Sequence, residues 1–220
     1  MSYIDQKLNP INPIIVIMSC QKNSNLWIDL NKYSKKSIIF CGDPNLNSNY
    51  IYKDRILYLK CEDTYDHLPT KVFMMINAIL DIKEFSNVTH IFKVDDHDTH
   101  FDNNIMEKIK KEIKIDSDYC GQKLNIFTAK DFRGNTTWHY KKCPTSSIWH
   151  NKPFLGKYVP WCDGGCGYLL SRKSMKIIVD YLSKENIYKK YIYEDLMIAT
   201  VLFENNIHPK KIKNVIIGDK

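Results

Sequence analysis

Two continuous apolar runs, IIVIMSC (Ile14 to Cys20) and SIIFCG (Ser37 to Gly42), set most of what this chain can fold into, and HIFKV (His90 to Val94) adds a further strand-like run. Each ends in a polar, glycine or acidic residue. Runs without polar alternation suit strands buried on both faces, the condition of a parallel sheet covered by helices on either side. ILYLKC (Ile56 to Cys61) reads as a further strand, and LWIDLNKY as a short helix or turn between the first two. LPTKVFMMINAILDIKEF carries Pro69 near a helix start and apolar residues at helical spacing. This alternation predicts an α/β fold with an open sheet, whose ligands sit beyond the carboxyl ends of the strands. A chain of 220 residues suits one large domain or two small ones, and its 44% hydrophobic content is enough for a sizeable core.

The site expected at those strand ends is visible as a burst of acid. HIFKV runs into DDHDTHFD, so Asp95, Asp96 and Asp98 fall within four positions. Neighbouring carboxylates repel, and burying them unpaired is costly, so something cationic should hold them together. A hard divalent ion with oxygen ligands, Mn²⁺ or Mg²⁺, commonly carrying a phosphate, is the natural partner. The alternative is a solvated acidic turn capping the helix that starts near Asp102.

The second half is less regular. MEKIKKEIK reads as a helix, DYCGQKL as a short strand, and the stretch from Asn125 to Lys157 as a long irregular excursion bearing Trp138, His139, Tyr140, Trp149 and His150. Aromatics on such a loop suit stacking against a sugar or base, or else form a small satellite core. In KYVPWCDGGCGYLLSRKSMKIIVDYL, Gly164, Gly165 and Gly167 allow a close backbone approach or positive φ before an apolar run and a helix. The stretch lacks the endings of a P-loop and of a dinucleotide fingerprint. YIYEDLMIATVLFENNI places Glu194 and Asp195 near a helix N-terminus, as a capping pair or as a carboxylate base facing a cleft.

Composition narrows the function classes. The net charge of +7 comes almost wholly from lysines that interleave with acids, as in KIKKEIK, which marks a solvated helix face and not a stripe tracking nucleic acid. No apolar run reaches the length of a membrane span. Seven cysteines, odd in number and scattered in apolar contexts, fit reduced thiols in a cytoplasmic protein, and the Cys162/Cys166 spacing makes a poor zinc site.

Four segments in the same order resemble glycosyltransferase family 31, the group containing the β-1,3-galactosyltransferases, the core-1 galactosyltransferase and Fringe. DTYDHLPTKV (Asp63 to Val72) is similar to that family's D-x-Y-x-N-L-x-x-K stretch and FKVDDHDT to its K-x-D-D-D segment. CDGGCGYLLSR is similar to its G-G-A-G-Y-x-L-S segment, and YEDLMIATVL to its E-D-V-x-x-G segment. The chain departs from the pattern where His97 interrupts the run of aspartates and where Ala199 or Thr200 replaces the last glycine.

The resemblance implies a single-domain GT-A fold over 1–220, with a nucleotide-sugar half at about 1–120 and an acceptor and catalytic half at about 121–220. It implies inverting transfer from a nucleotide sugar, usually a UDP-sugar, to a hydroxyl of a glycan or glycoprotein acceptor, with Mn²⁺ or Mg²⁺ as cofactor. By the same resemblance Asp95 and Asp96 contact the donor, with Lys71, Trp161, Asp163, Gly164 and Gly165 beside it. Asp96, Asp98 and the late histidine His208 hold the metal, and Asp195 is the general base. An AT-rich-looking composition, with no membrane anchor in view, suggests an enzyme of a large DNA virus acting in the host cytoplasm or viral factory. Two other readings stand beside this one: a metal-dependent phosphohydrolase or nuclease using the Asp/His cluster, and a catalytically silent carbohydrate-binding protein.

Overall fold

The computed structural model describes residues 10–27, 37–96, 104–126 and 137–213. Its centre is β1 (Pro13–Met18), flanked by two parallel neighbours, β2 (Ser37–Gly42) and β5 (His90–Asp95). All six β1 residues are buried. Ile14, Val16 and Met18 enter one apolar core while Ile15 and Ile17 enter the other, so the period-two strand geometry serves two cores at once. One face is covered by α1 (Leu68–Asp81), the other by α2 (Ile105–Glu112). α2 buries only Ile105 and Ile109, and its lysines face outward, as the mixed-charge pattern predicts.

The sheet has eight strands in the order β10-β6-β9-β5-β1-β2-β4-β3, mixed and mostly parallel, an α/β architecture consistent with a single GT-A-type domain. On one side β4 (Ile56–Leu59) pairs parallel to β2, and β3 (Tyr50–Lys53) folds back on it. Only two residues, Asp54 and Arg55, join β3 to β4, both at positive φ (51° and 65°), which gives the tight hairpin whose twist matches its strands. The sequence does not announce this turn, because Arg rarely adopts that conformation. Here the Arg55 guanidinium donates to the Ser37 carbonyl at 2.8 Å, which helps hold it there.

On the other side the sheet departs from a purely parallel one. β9 (Tyr168–Ser171) runs antiparallel to both β5 and β6 (Tyr119–Gly121), and the two-residue β10 (Lys210–Lys211) closes the edge beside β6. Antiparallel pairing has a functional consequence. Because Lys93 lies opposite Tyr168, the start of β9 meets the carboxyl end of β5, and the glycine turn preceding β9 is delivered to the acidic strand end. A second ribbon, β7 (Leu124–Asn125) with β8 (Trp161–Cys162), leads into that turn. α3 (Arg172–Leu182) then starts at Ser171, whose hydroxyl accepts from the Ser174 N–H at 3.1 Å, and α4 (Glu194–Glu204) packs beside it.

Gly167 is where the turn needs a glycine. Its φ is +84°, and a Cβ there would stand 2.8 Å from Val94 Cγ1 and 3.0 Å from the Lys93 carbonyl. Gly167→Ala should therefore lose about 1–3 kcal/mol through backbone strain and crowding. A urea midpoint equal to the parent's would show that the turn relaxes freely.

All seven cysteines are unbridged, and among the described residues no helix is long and apolar enough to cross a membrane.

Candidate active site

A cleft of about 550 Å³ opens at the meeting point of β5, the glycine turn and the N-terminus of α4. Its walls include Asp95, Trp161, Asp163, Gly164, Gly165 and Asp195, six positions singled out from sequence. They come from three segments far apart in the chain, which the register of β5 with β9 helps gather together.

Three charged side chains bind those segments to one another. Lys93 sits two residues before Asp95 on β5, so both side chains point to the same face of the sheet. Its Nζ donates to Asp95 Oδ1 at 2.5 Å, to Glu194 Oε1 at 2.6 Å and to the Gly164 carbonyl at 3.4 Å. Burial alone would push this ammonium down, but Asp95 and Glu194 hold it above the usual lysine range. The second oxygen of Glu194 accepts from the Tyr168 hydroxyl at 2.6 Å, and the Tyr168 ring lies under the ammonium with its centroid 5.5 Å away. Gly164 fits because a Cβ there would come within 2.6 Å of Glu194 Oε1.

Asp195 lines the same cleft but takes partners other than Lys93, as the turn of about 100° between adjacent helical residues allows. Its Oδ2 accepts from the Gly164 N–H at 3.2 Å, and its Oδ1 accepts from the Leu196 N–H at 2.8 Å. Burial and the neighbouring Glu194 charge push its carboxyl up to about 7, against the lowering pull of Gly164, Lys93 and Leu196. A carboxylate titrating there is well matched to taking a proton near neutral pH. Asp163 is shifted the other way: burial would raise it, but Lys123, at 3.0 Å, and the Cys166 N–H outweigh that and lower it.

Asp96 is anchored just behind the cleft. Its Oδ2 accepts from Ser19 Oγ at 2.7 Å and Asn23 Nδ2 at 2.9 Å, and Ser19 in turn accepts from the Trp27 indole N–H at 2.8 Å. Asp95 and Asp96 supply oxygen ligands of the kind Mn²⁺ and Mg²⁺ prefer. Asp98 and His97 lie outside the described residues, and within those described no three His, Cys, Asp or Glu groups stand close enough to hold a metal.

The structure places two predicted site residues elsewhere. Lys71 is buried and does not line the cleft. Its Nζ pairs with Asp63 and donates to the Ser19 carbonyl at 3.0 Å. Since Asp63 also accepts from the Gly42 and Gln21 N–H groups, Lys71 braces the ends of β1 and β2 from below. His208 is exposed, edge-on to Phe203, past the far end of α4. An eleven-residue helix puts that end on the order of 15 Å from Asp195, so His208 is not brought to the acidic cluster.

The aromatic excursion divides between core packing and the cleft wall. His139 is fully buried, with Nδ1 2.9 Å from the Tyr193 hydroxyl and Nε2 2.8 Å from the Lys152 carbonyl, and with Trp149 and Tyr193 it joins the edge of the main core and not a separate one. Its neighbour Trp138 is 60% exposed on the cleft wall, with Lys142 Nζ 3.7 Å over its ring. Sequence reasoning missed Lys93, Tyr168, Ser19 and Asn23 as site residues. Lys93 had a readable signal, since a lysine two positions before an aspartate on a strand shares its face.

No curated protein matches this chain. The family model for Galactosyltransferase does match, over residues 45–213, a span that takes in the acidic strand end, the glycine turn and the start of α4, and the chain belongs to that family.

Proposed function

We propose that this glycosyltransferase moves a sugar from a UDP-sugar to a hydroxyl of a glycan acceptor with inversion, assisted by a divalent ion. The observation that carries the reading is the pairing, in one cleft, of Asp95 at the end of β5 with Asp195, whose carboxyl is pushed up to about 7 by burial and Glu194. Asp95 and Asp96, with Asp98, would hold the ion and the donor's ribose and diphosphate. When bound, the ion would neutralise charge on the departing diphosphate.

The chain's own residues supply the rest. Asp195, steadied by the Gly164 and Leu196 N–H groups, takes the proton of the acceptor hydroxyl as that oxygen bonds to the anomeric carbon. The bond from that carbon to the diphosphate oxygen breaks on the opposite face, which inverts the configuration. Gly164 and Gly165 let the donor sugar lie against backbone, and Asp163 offers acceptor oxygens to its hydroxyls. Trp138 and Trp161 give the cleft two aromatic walls.

A thermal-shift screen of nucleotide sugars, with and without Mn²⁺, tests the donor assignment, because a ligand that binds only the native state raises the melting temperature. A UDP-sugar that stabilises only with Mn²⁺ is expected. Asp96→Asn should weaken that binding by on the order of tenfold or more, since it removes a charge and an ionic ligand oxygen. Asp96→Asn with parental UDP and Mn²⁺ affinity would take the acidic strand end out of the donor site. Phosphodiester cleavage without any sugar donor would favour a phosphohydrolase instead.

A further inference from the structure

We propose that Lys93 is a positioning residue that fixes the base-bearing helix in register with the donor end of the cleft. The proposal rests on the transferase reading and adds a role for a residue that itself touches neither reactant.

Asp95 belongs to the strand end where the donor would sit, Glu194 begins the helix that carries Asp195, and the Gly164 peptide both accepts from Lys93 and donates to Asp195. A single ammonium therefore joins the three segments that any transfer reaction here must align. The side chain is fully buried, so the interaction is little screened by solvent or salt. Tyr168 holds Glu194 from its other oxygen, so the carboxylate has little freedom to swing. Because Asp195 directly follows Glu194, a displacement of Glu194 would carry the base with it. A shift of an ångström is enough to cost about a hundredfold in rate.

A structural ion pair would look the same in a static picture, so the test must separate placement from stability. The double variant Lys93→Met/Glu194→Gln removes the ammonium together with one of its two carboxylates, and such paired exchanges are often neutral for stability. Asp95 keeps its charge but is 29% exposed, so the double variant should melt well above Lys93→Met alone and still bind UDP with Mn²⁺, while kcat falls by on the order of a hundredfold with donor KM little changed. Tyr168→Phe, which removes one hydrogen bond and no charge, serves as the second probe. Loss of a hydrogen bond to a charged group should lower its kcat by about tenfold at constant donor KM.

A folded double variant that turns over like the parent would overturn the proposal. If the double variant does not fold, parental kcat in Tyr168→Phe overturns it on its own. A parent that binds no nucleotide sugar and transfers nothing would instead sink the transferase reading, so the two failures are distinguishable.

Discussion

Asp195→Asn should bind UDP and Mn²⁺ like the parent and yet transfer sugar about a hundredfold to ten-thousandfold more slowly, the usual span for loss of a general base. The substitution keeps the size of the side chain and its acceptor oxygen toward Gly164 or Leu196, and removes the atom that takes the proton. The same group predicts the pH profile. With its carboxyl pushed up to about 7 by burial and Glu194, the base is ionised above that pH and protonated below it. Parental kcat/KM should therefore fall about tenfold per unit below neutrality, and an ion bound at Asp95 and Asp96 would move that limb downward.

Stability gives an independent check with a definite sign. A carboxyl whose pKa is higher in the folded state than in the unfolded chain binds its proton more tightly when folded, so its contribution to stability declines as pH rises from about 4 through 7. Replacing Asp195 by Asn removes that decline, so the variant should gain on the parent as pH rises, and the difference should vanish near pH 4. A helix-capping role predicts the reverse, a loss of about 1 kcal/mol at neutral pH with turnover intact. A destabilised but active Asp195→Asn enzyme would remove this residue from the mechanism.

What could be read from the sequence follows from how local each signal was. The parallel centre of the sheet was legible because burial on both faces forces continuous apolar runs, as in Ile14 to Met18 and Ser37 to Gly42. The α1 start at Pro69 and the glycine turn were legible because backbone restrictions leave their mark in residue type. The Asp54-Arg55 hairpin was hidden because tertiary contacts stabilise a turn that its residues do not favour. Lys71 and Lys93 show the limit most clearly. Both are lysines in motif-like surroundings, but only the fold shows that one braces strand ends beneath the cleft while the other joins its walls. Glu194 and Asp195 are adjacent acids that both line the cleft, and the helix rotation between them gives them different partners, the Lys93 ammonium for one and the Gly164 and Leu196 N–H groups for the other.

The largest stability effect should come from Lys93→Met alone. Methionine fills most of the volume, but Asp95 and Glu194 would then face each other across the space the ammonium occupied. Breaking a buried pair by removing one partner costs about 3–5 kcal/mol, which for a chain of this size is on the order of 10 °C in Tm. The loss should be smaller in acid. Between pH 5 and 9 the parent's lysine stays charged, because its folded pKa lies above the usual lysine range, so it adds no pH dependence of its own in that window. In the variant the stranded carboxylates repel and bind protons more tightly folded than unfolded, so lowering the pH toward 5 should narrow the gap to the parent. A Tm loss under about 3 °C, or a gap that widens in acid, would mean that solvent reaches the space left by Lys93 and screens the two acids from each other.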